Sequence, residues 1–184
     1  MGEIDDAIER ADREGFTRQP PKTLQARINF LIKQLKTTKA VAAEIGVSQR
    51  SVERYRKGER KHPPQAIAER IDAAVRARWQ PQVRRRRRKQ AATTGITVET
   101  RARFGYTAPV GTTDDGRFRR LTVHLPPAYA QRLFNAREAG AGDQQMRQII
   151  AEGFKEIYFQ DGGARATGLS DVTLNDIDYL DLDY

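Results

Sequence analysis

Residues 38–57 read TKAVAAEIGVSQRSVERYRK, and most of what the N-terminal part of the chain can be expected to do follows from them. Val41, Ala42 and Ile45 share one face of a short helix. Gly46 then supplies the left-handed backbone that a tight turn needs. After Val47, Ser48 is suited to cap a second helix, which turns Val52 and Tyr55 inward. The pattern implies two helices crossing over a tight turn, with Ala42 kept small where they approach. The outer face of the second helix carries Gln49, Arg50, Ser51, Arg54 and Arg56, with Lys57 at its end and Ser48 at its start. Such side chains can hydrogen-bond base edges and phosphates from within a major groove. An ordinary helical hairpin would leave the same periodicity. The joint agreement of core positions, turn glycine and basic outer face favours a DNA-binding helix-turn-helix.

The flanking sequence extends this unit into a bundle. Residues 3–14 have Ile4, Ala7, Ile8 and Ala11 on one face, and Gly15 with Pro20-Pro21 ends that helix. Residues 23–36 repeat the pattern with Leu24, Ile28, Leu31, Ile32 and Leu35, and Thr37-Thr38 can cap the helix that follows. Beyond Gly58, a helix over 64–78 brings in Ile67, Ile71, Ala74 and Val75. Residues 1–80 are therefore expected to form one helical domain. Residues 81–95 are expected to be a polybasic linker containing Arg84, Arg85, Arg86, Arg87, Arg88 and Lys89. Beside a DNA-binding unit such a run suits a phosphate-tracking arm, although charge runs are often only solvated linker. In a eukaryotic host it could also act as a nuclear localisation signal.

From residue 96 the period changes to two. Ile96, Val98, Ala102, Phe104 and Tyr106 alternate with Thr97, Glu99, Arg101, Arg103 and Thr107, which predicts a strand with a basic outer face. A second strand over 117–125 turns Leu121, Val123 and Leu125 inward, and the two strands suit a hairpin joined by APVGTTDDG. Helices over 127–138 and 143–159 complete a domain spanning 96–159. Its strand–helix–helix order is also that of ribbon-helix-helix proteins, although a packing or oligomerisation domain is the larger expectation. Residues 160–184 hold six aspartates and one arginine, a net charge of −5, and are expected to form a mobile acidic tail. The alternation VTLNDIDYLDLDY could equally dock on a basic partner. The fold class expected is α+β: an N-terminal helix-turn-helix bundle, a basic linker, a β-hairpin with two helices, and the tail.

Composition narrows the function. The 184 residues carry 33 Lys+Arg against 24 Asp+Glu, a net charge of +9 and an isoelectric point near 10.1. That balance suits a polyanionic partner. No apolar run suits a membrane span, and the acidic opening Met1–Asp6 is not expected to be a secretory signal. Without cysteine there is no disulfide or cysteine-ligated metal, which fits a reducing cytoplasm. His62 and His124 lie far apart, so no metal site is expected. No P-loop, nucleophile elbow or paired histidines appear, so catalysis by the chain itself is not expected. The turn GTTDDG does present Thr112 and Thr113, hydroxyls that could act as acceptors in another enzyme's cleft. Making the turn is the simpler role for those threonines and their neighbouring aspartates.

The helix-turn-helix TKAVAAEIGVSQRSVERYRKGERK, the run RRRRRK, the segment TVETRARFGYTAPVGTTDDGRFRRLTVHLPP and the tail together resemble the telomere terminal proteins of Streptomyces linear chromosomes and plasmids. The resemblance runs along essentially the whole chain. It implies a nucleoid-associated protein linked covalently to the 5′ ends of linear DNA, priming the end-patching synthesis that fills the recessed 5′ gap. A threonine hydroxyl replaces the primer 3′-OH, attacks the α-phosphate of the first nucleotide, typically dCTP, and releases pyrophosphate. The family's priming threonine falls in GTTDDG, at Thr113 or its neighbour Thr112. Asp114 and Asp115 could orient metal or nucleotide there. Tyr106 and the tail tyrosines remain open as alternatives, because other terminal-protein systems prime on tyrosine or serine. The implied partners are telomeric DNA, as single-stranded overhang or duplex, a telomere-associated protein and a DNA polymerase that brings its own Mg²⁺. Read without the resemblance, the chain also suits a helix-turn-helix transcriptional regulator, or a nucleoid or partition protein binding broadly through its arginines.

Overall fold

The structure, a computed structural model, describes residues 2–107, 117–166 and 168–184. Its elements in chain order are α1 (Glu3–Glu14), α2 (Leu24–Leu35), α3 (Thr38–Ile45), α4 (Gln49–Lys57), α5 (Gln65–Arg78), α6 (Pro81–Thr94), β1 (Ile96–Thr107), β2 (Arg117–Leu125), α7 (Pro127–Glu138), α8 (Asp143–Phe154) and β3 (Asp171–Asp183). A π-helical turn, Lys155–Phe159, extends α8. The fold is α+β, with eight α-helices and a three-stranded antiparallel sheet among the described residues. The chain divides into two compact units, one of residues 16–82 and the other of residues 1–15 with 83–184.

The first unit holds α2 to α5. Each helix start up to α4 is capped by a hydroxyl that accepts from the third residue on: Thr23 from Ala26, Thr37 from Ala40, Ser48 from Ser51. Gly46, at φ +68°, ends α3, and its N–H donates to the Ala42 carbonyl. The helices bury Ile28, Leu31, Val41, Ile45, Val52, Tyr55 and Ile71 completely or nearly so. Ala42 is buried in the same cluster. Phe30 meets Trp79 edge to face at 5.1 Å, and the Trp79 indole N–H donates to the Arg18 carbonyl at 3.1 Å.

In the second unit β1 is the central strand, in the order β2-β1-β3. Ile96 faces Leu125 and Phe104 faces Arg117 across one pairing. Thr97 faces Asp183 and Thr107 faces Asp171 across the other. The period of two places Val98, Ala102, Phe104, Leu121, Val123 and Leu125 in the core. There they join Ile4 and Ile8 of α1, Leu133 of α7, and Ile150 and Phe154 of α8. Each large apolar side chain so buried contributes roughly 1.5–3 kcal/mol.

Four expectations are corrected here. The first helix does not belong with residues 16–80: its apolar stripe packs against β3 and α8 in the second unit. Residues 81–94 are helical instead of a linker, because α6 seats three of its arginines on carboxylates of α1 and on the chain's end. The mobile tail is instead largely strand β3. Val172, Leu174, Leu180 and Leu182 enter the core and the aspartates alternate outward. The last helix also ends earlier than 159, at Phe154, where the chain widens into the π turn.

Candidate nucleic-acid interface

Helix α4 has two opposite faces. Val52 and Tyr55 are buried, while Gln49, Arg50, Arg54, Arg56 and Lys57 are exposed. Arg50, Arg54 and Lys57 follow helical spacing and form one cationic stripe. Arg54 and Lys57 lie 3.8 and 3.9 Å from Glu59, a weak arrangement at exposed positions. Arg50 makes no ion pair among the described residues. Gln49 is held: its amide nitrogen donates to Thr38 Oγ1 at 3.0 Å and to Glu53 Oε1 at 3.2 Å. Ser48 and Ser51 differ from the expected contacts in one respect. The Ser48 hydroxyl accepts from the Ser51 N–H at 3.2 Å and lies 3.0 Å from its hydroxyl, so the pair first closes the helix start.

The arginine run splits by helical phase. Arg84 is buried and bidentate on Glu9 at 2.8 and 2.9 Å, with Asp12 at 3.3 Å. Arg88 reaches Asp12 at 2.6 Å, and Arg87 donates to the Tyr184 and Ala11 carbonyls, the latter at 2.9 Å. Arg137 closes the network on Asp5 and Glu9 at 2.8 and 2.7 Å. Burial alone would raise the Glu9 carboxyl, but the guanidinium hydrogen bonds and charges of Arg84 and Arg137 outweigh it and lower its pKa to about 2. Burial, reinforced by the Asp12 carboxylate, pushes the Tyr184 phenol up. Arg84, Arg87 and Arg88 are therefore engaged within the protein, where a phosphate-tracking arm was expected. Arg85, Arg86 and Lys89 point to solvent and retain that capacity.

Thr112 and Thr113, with Asp114 and Asp115, lie outside the described residues, as does the side chain of Tyr106. Among the described residues no cluster of His, Asp and Glu is placed to hold a metal ion, and no helix is long and apolar enough to cross a membrane. The water-facing side of the sheet adds Phe118 and Arg120, which the sequence does not single out, and sets Tyr179 beside them. Phe118 and Arg120 of β2 and Tyr179 of β3 stand beside Arg101 and Arg103 of β1. The alternation of RFRRLTVHL, with Leu121, Val123 and Leu125 inward, was the available signal for Phe118 and Arg120. Comparison with protein-family models, with curated proteins and with solved structures gives no match.

Proposed function

We propose that this chain is a DNA-end protein that binds DNA through α4 and serves as the protein primer for synthesis at that end. The observation that carries the binding half is the capped α3–turn–α4 unit, with an apolar inner face and the exposed Arg50, Arg54, Arg56 and Lys57 outside. The Gly46 turn and the Ser48 cap fix the start of α4, and Thr38 steadies Gln49 for a base edge. Arg85, Arg86 and Lys89 add phosphate contacts. The priming half rests on the resemblance carried by GTTDDG: the hydroxyl of Thr113, or of Thr112, attacks the α-phosphate of the incoming dCTP. A phosphodiester forms to the protein and pyrophosphate leaves. The partner polymerase supplies the Mg²⁺ that makes so weak an acid reactive. The telomere-associated protein brings the chain to the overhang.

The test is a labelling assay with full-length protein, telomeric single-stranded template, partner extract, Mg²⁺ and α-labelled dCTP, resolved on a denaturing gel. Label is expected on the wild type and lost in Thr113→Ala or in Thr112→Ala. Absence of label in an extract competent for priming would sink the primer reading. Tight binding to one duplex palindrome, unaffected by either substitution, would then identify a helix-turn-helix regulator.

A further inference from the structure

The water-facing side of the sheet is divided along its length. Two rungs in the half of the sheet toward the end of β1 and the start of β2 read Arg120, Arg101, Tyr179 and Phe118, Arg103, Asn175 across the three strands. The next rungs carry Glu99, Asp181 and Asp183. Phe118 is 48% exposed and is the exposed large hydrophobic among the described residues, at a position where strand alternation faces water. The guanidinium carbons of Arg103 and Arg101 lie 5.2 and 5.6 Å from its ring centre, and Arg120 lies 6.0 Å from that of Tyr179. Rings and guanidinium planes therefore form one continuous patch. From this patch we infer a binding site for single-stranded nucleic acid, with bases stacking on Phe118 and on the arginine planes and phosphates meeting Arg101, Arg103 and Arg120.

The chemistry selects this occupant. Every base has a π-face, and aromatic rings interleaved with arginine on an open sheet bind bases without needing a sequence. A duplex hides those faces. A protein partner of ordinary apolar chemistry would strand three guanidiniums against its surface. The arginines are held ready by weak, exposed pairs: Arg101 with Asp178, Arg103 with Asp176 at 3.5 Å, and Arg120 with Glu99 at 2.7 Å. Asp176 and Asp178 sit in the bulge where β3 shifts register between the partners of Arg101 and Arg103. Incoming phosphates compete with these carboxylates. The site rests neither on the α4 reading nor on the priming reading.

The test uses full-length protein and fluorescein-labelled oligothymidylate and oligouridylate of about 12 nucleotides. Phe118→Ala is expected to lose roughly tenfold in affinity, the scale of one lost base stack, and Phe118→Tyr to retain most of it. The pair Asp176→Asn with Asp178→Asn is expected to bind tighter, and to steepen the salt dependence by about 1.4 if both freed arginines take a phosphate. Lys33→Ala, at an exposed position of α2, serves as a control that leaves this binding unchanged. Circular dichroism melts confirm that each variant is folded. Photocrosslinks from iodouracil oligonucleotides are expected at Phe118 or Tyr179. Preference for the DNA or the RNA arm names the natural strand. Wild-type affinity in Phe118→Ala, or crosslinks confined to residues 38–61, would overturn the site. A change in oligomeric state without a change in nucleic-acid affinity would assign the patch to protein contact instead.

Discussion

Glu9 shows how one residue can hold two elements and set an acid limit. Its carboxylate is buried between Arg84 and Arg137, and its pKa falls from 4.5 to about 2. A depressed folded value means that the contribution is fully present above about pH 4.5. It is lost as pH falls toward 2, where folded Glu9 takes up its proton. Urea melts at a series of pH values should show wild-type stability declining through that window, and Glu9→Gln declining less. At neutral pH Glu9→Gln is expected to cost about 3 kcal/mol, because it leaves Arg84 buried without its main partner. Gly46 gives a second prediction. At φ +68°, alanine there is strained by roughly 1–2 kcal/mol. Its Cβ would meet the far end of the flexible Arg70 side chain, with Nη1 nearest at 2.5 Å. Gly46→Ala should therefore lower stability by about that amount in a thermal melt and leave duplex affinity almost intact. A large loss of folding would mean that the turn cannot relax around Arg70.

At the scale of elements, α6 and β3 show which parts of the sequence were legible. The bounds of β1 and β2 were readable because hydrophobic alternation reports burial locally. Helix α1 was readable as a helix, but an apolar stripe does not say which core it joins. In α6 the charge run hid a phase: positions 84, 87 and 88 face Glu9, Asp12 and Tyr184, distant in sequence, while 85, 86 and 89 face water. In β3 the alternation was visible, but pairing with β1 is non-local and a count of aspartates obscures it. Changing Arg85, Arg86 and Lys89 together to Gln is expected to lower the log–log salt slope of duplex binding by up to about 2.7 and to leave stability nearly unchanged. Changing Arg84, Arg87 and Arg88 instead should leave the slope and destabilise the second unit. Removing residues 171–184 takes four apolar side chains from that core. Limited proteolysis should then degrade 83–170 while residues 16–82 persist.

The division of the whole molecule bears directly on the proposed DNA binding. The α2–α5 unit has its own buried cluster from Ile28 to Val75, its own caps, and ion pairs of its own such as Arg27–Asp72 and Arg78–Glu44. A fragment of residues 16–82 should accordingly fold alone, at the marginal stability usual for a domain of its size. It contains α4 and lacks Arg85, Arg86 and Lys89. If α4 reads the duplex and α6 only meets phosphates, the fragment keeps the base preference of the full chain, and its salt slope is smaller by up to about 2.7. Competition titrations of the fragment and the full chain against the same set of duplexes, repeated across salt concentrations, measure both quantities. A folded fragment that binds every duplex alike, where the full chain discriminates, would move sequence readout out of α4 and into residues 83–184. Equal slopes would instead show that the exposed half of the arginine run carries no phosphate. The basic charge on α6 would then serve solubility, and duplex binding would belong to α4 and its immediate neighbours.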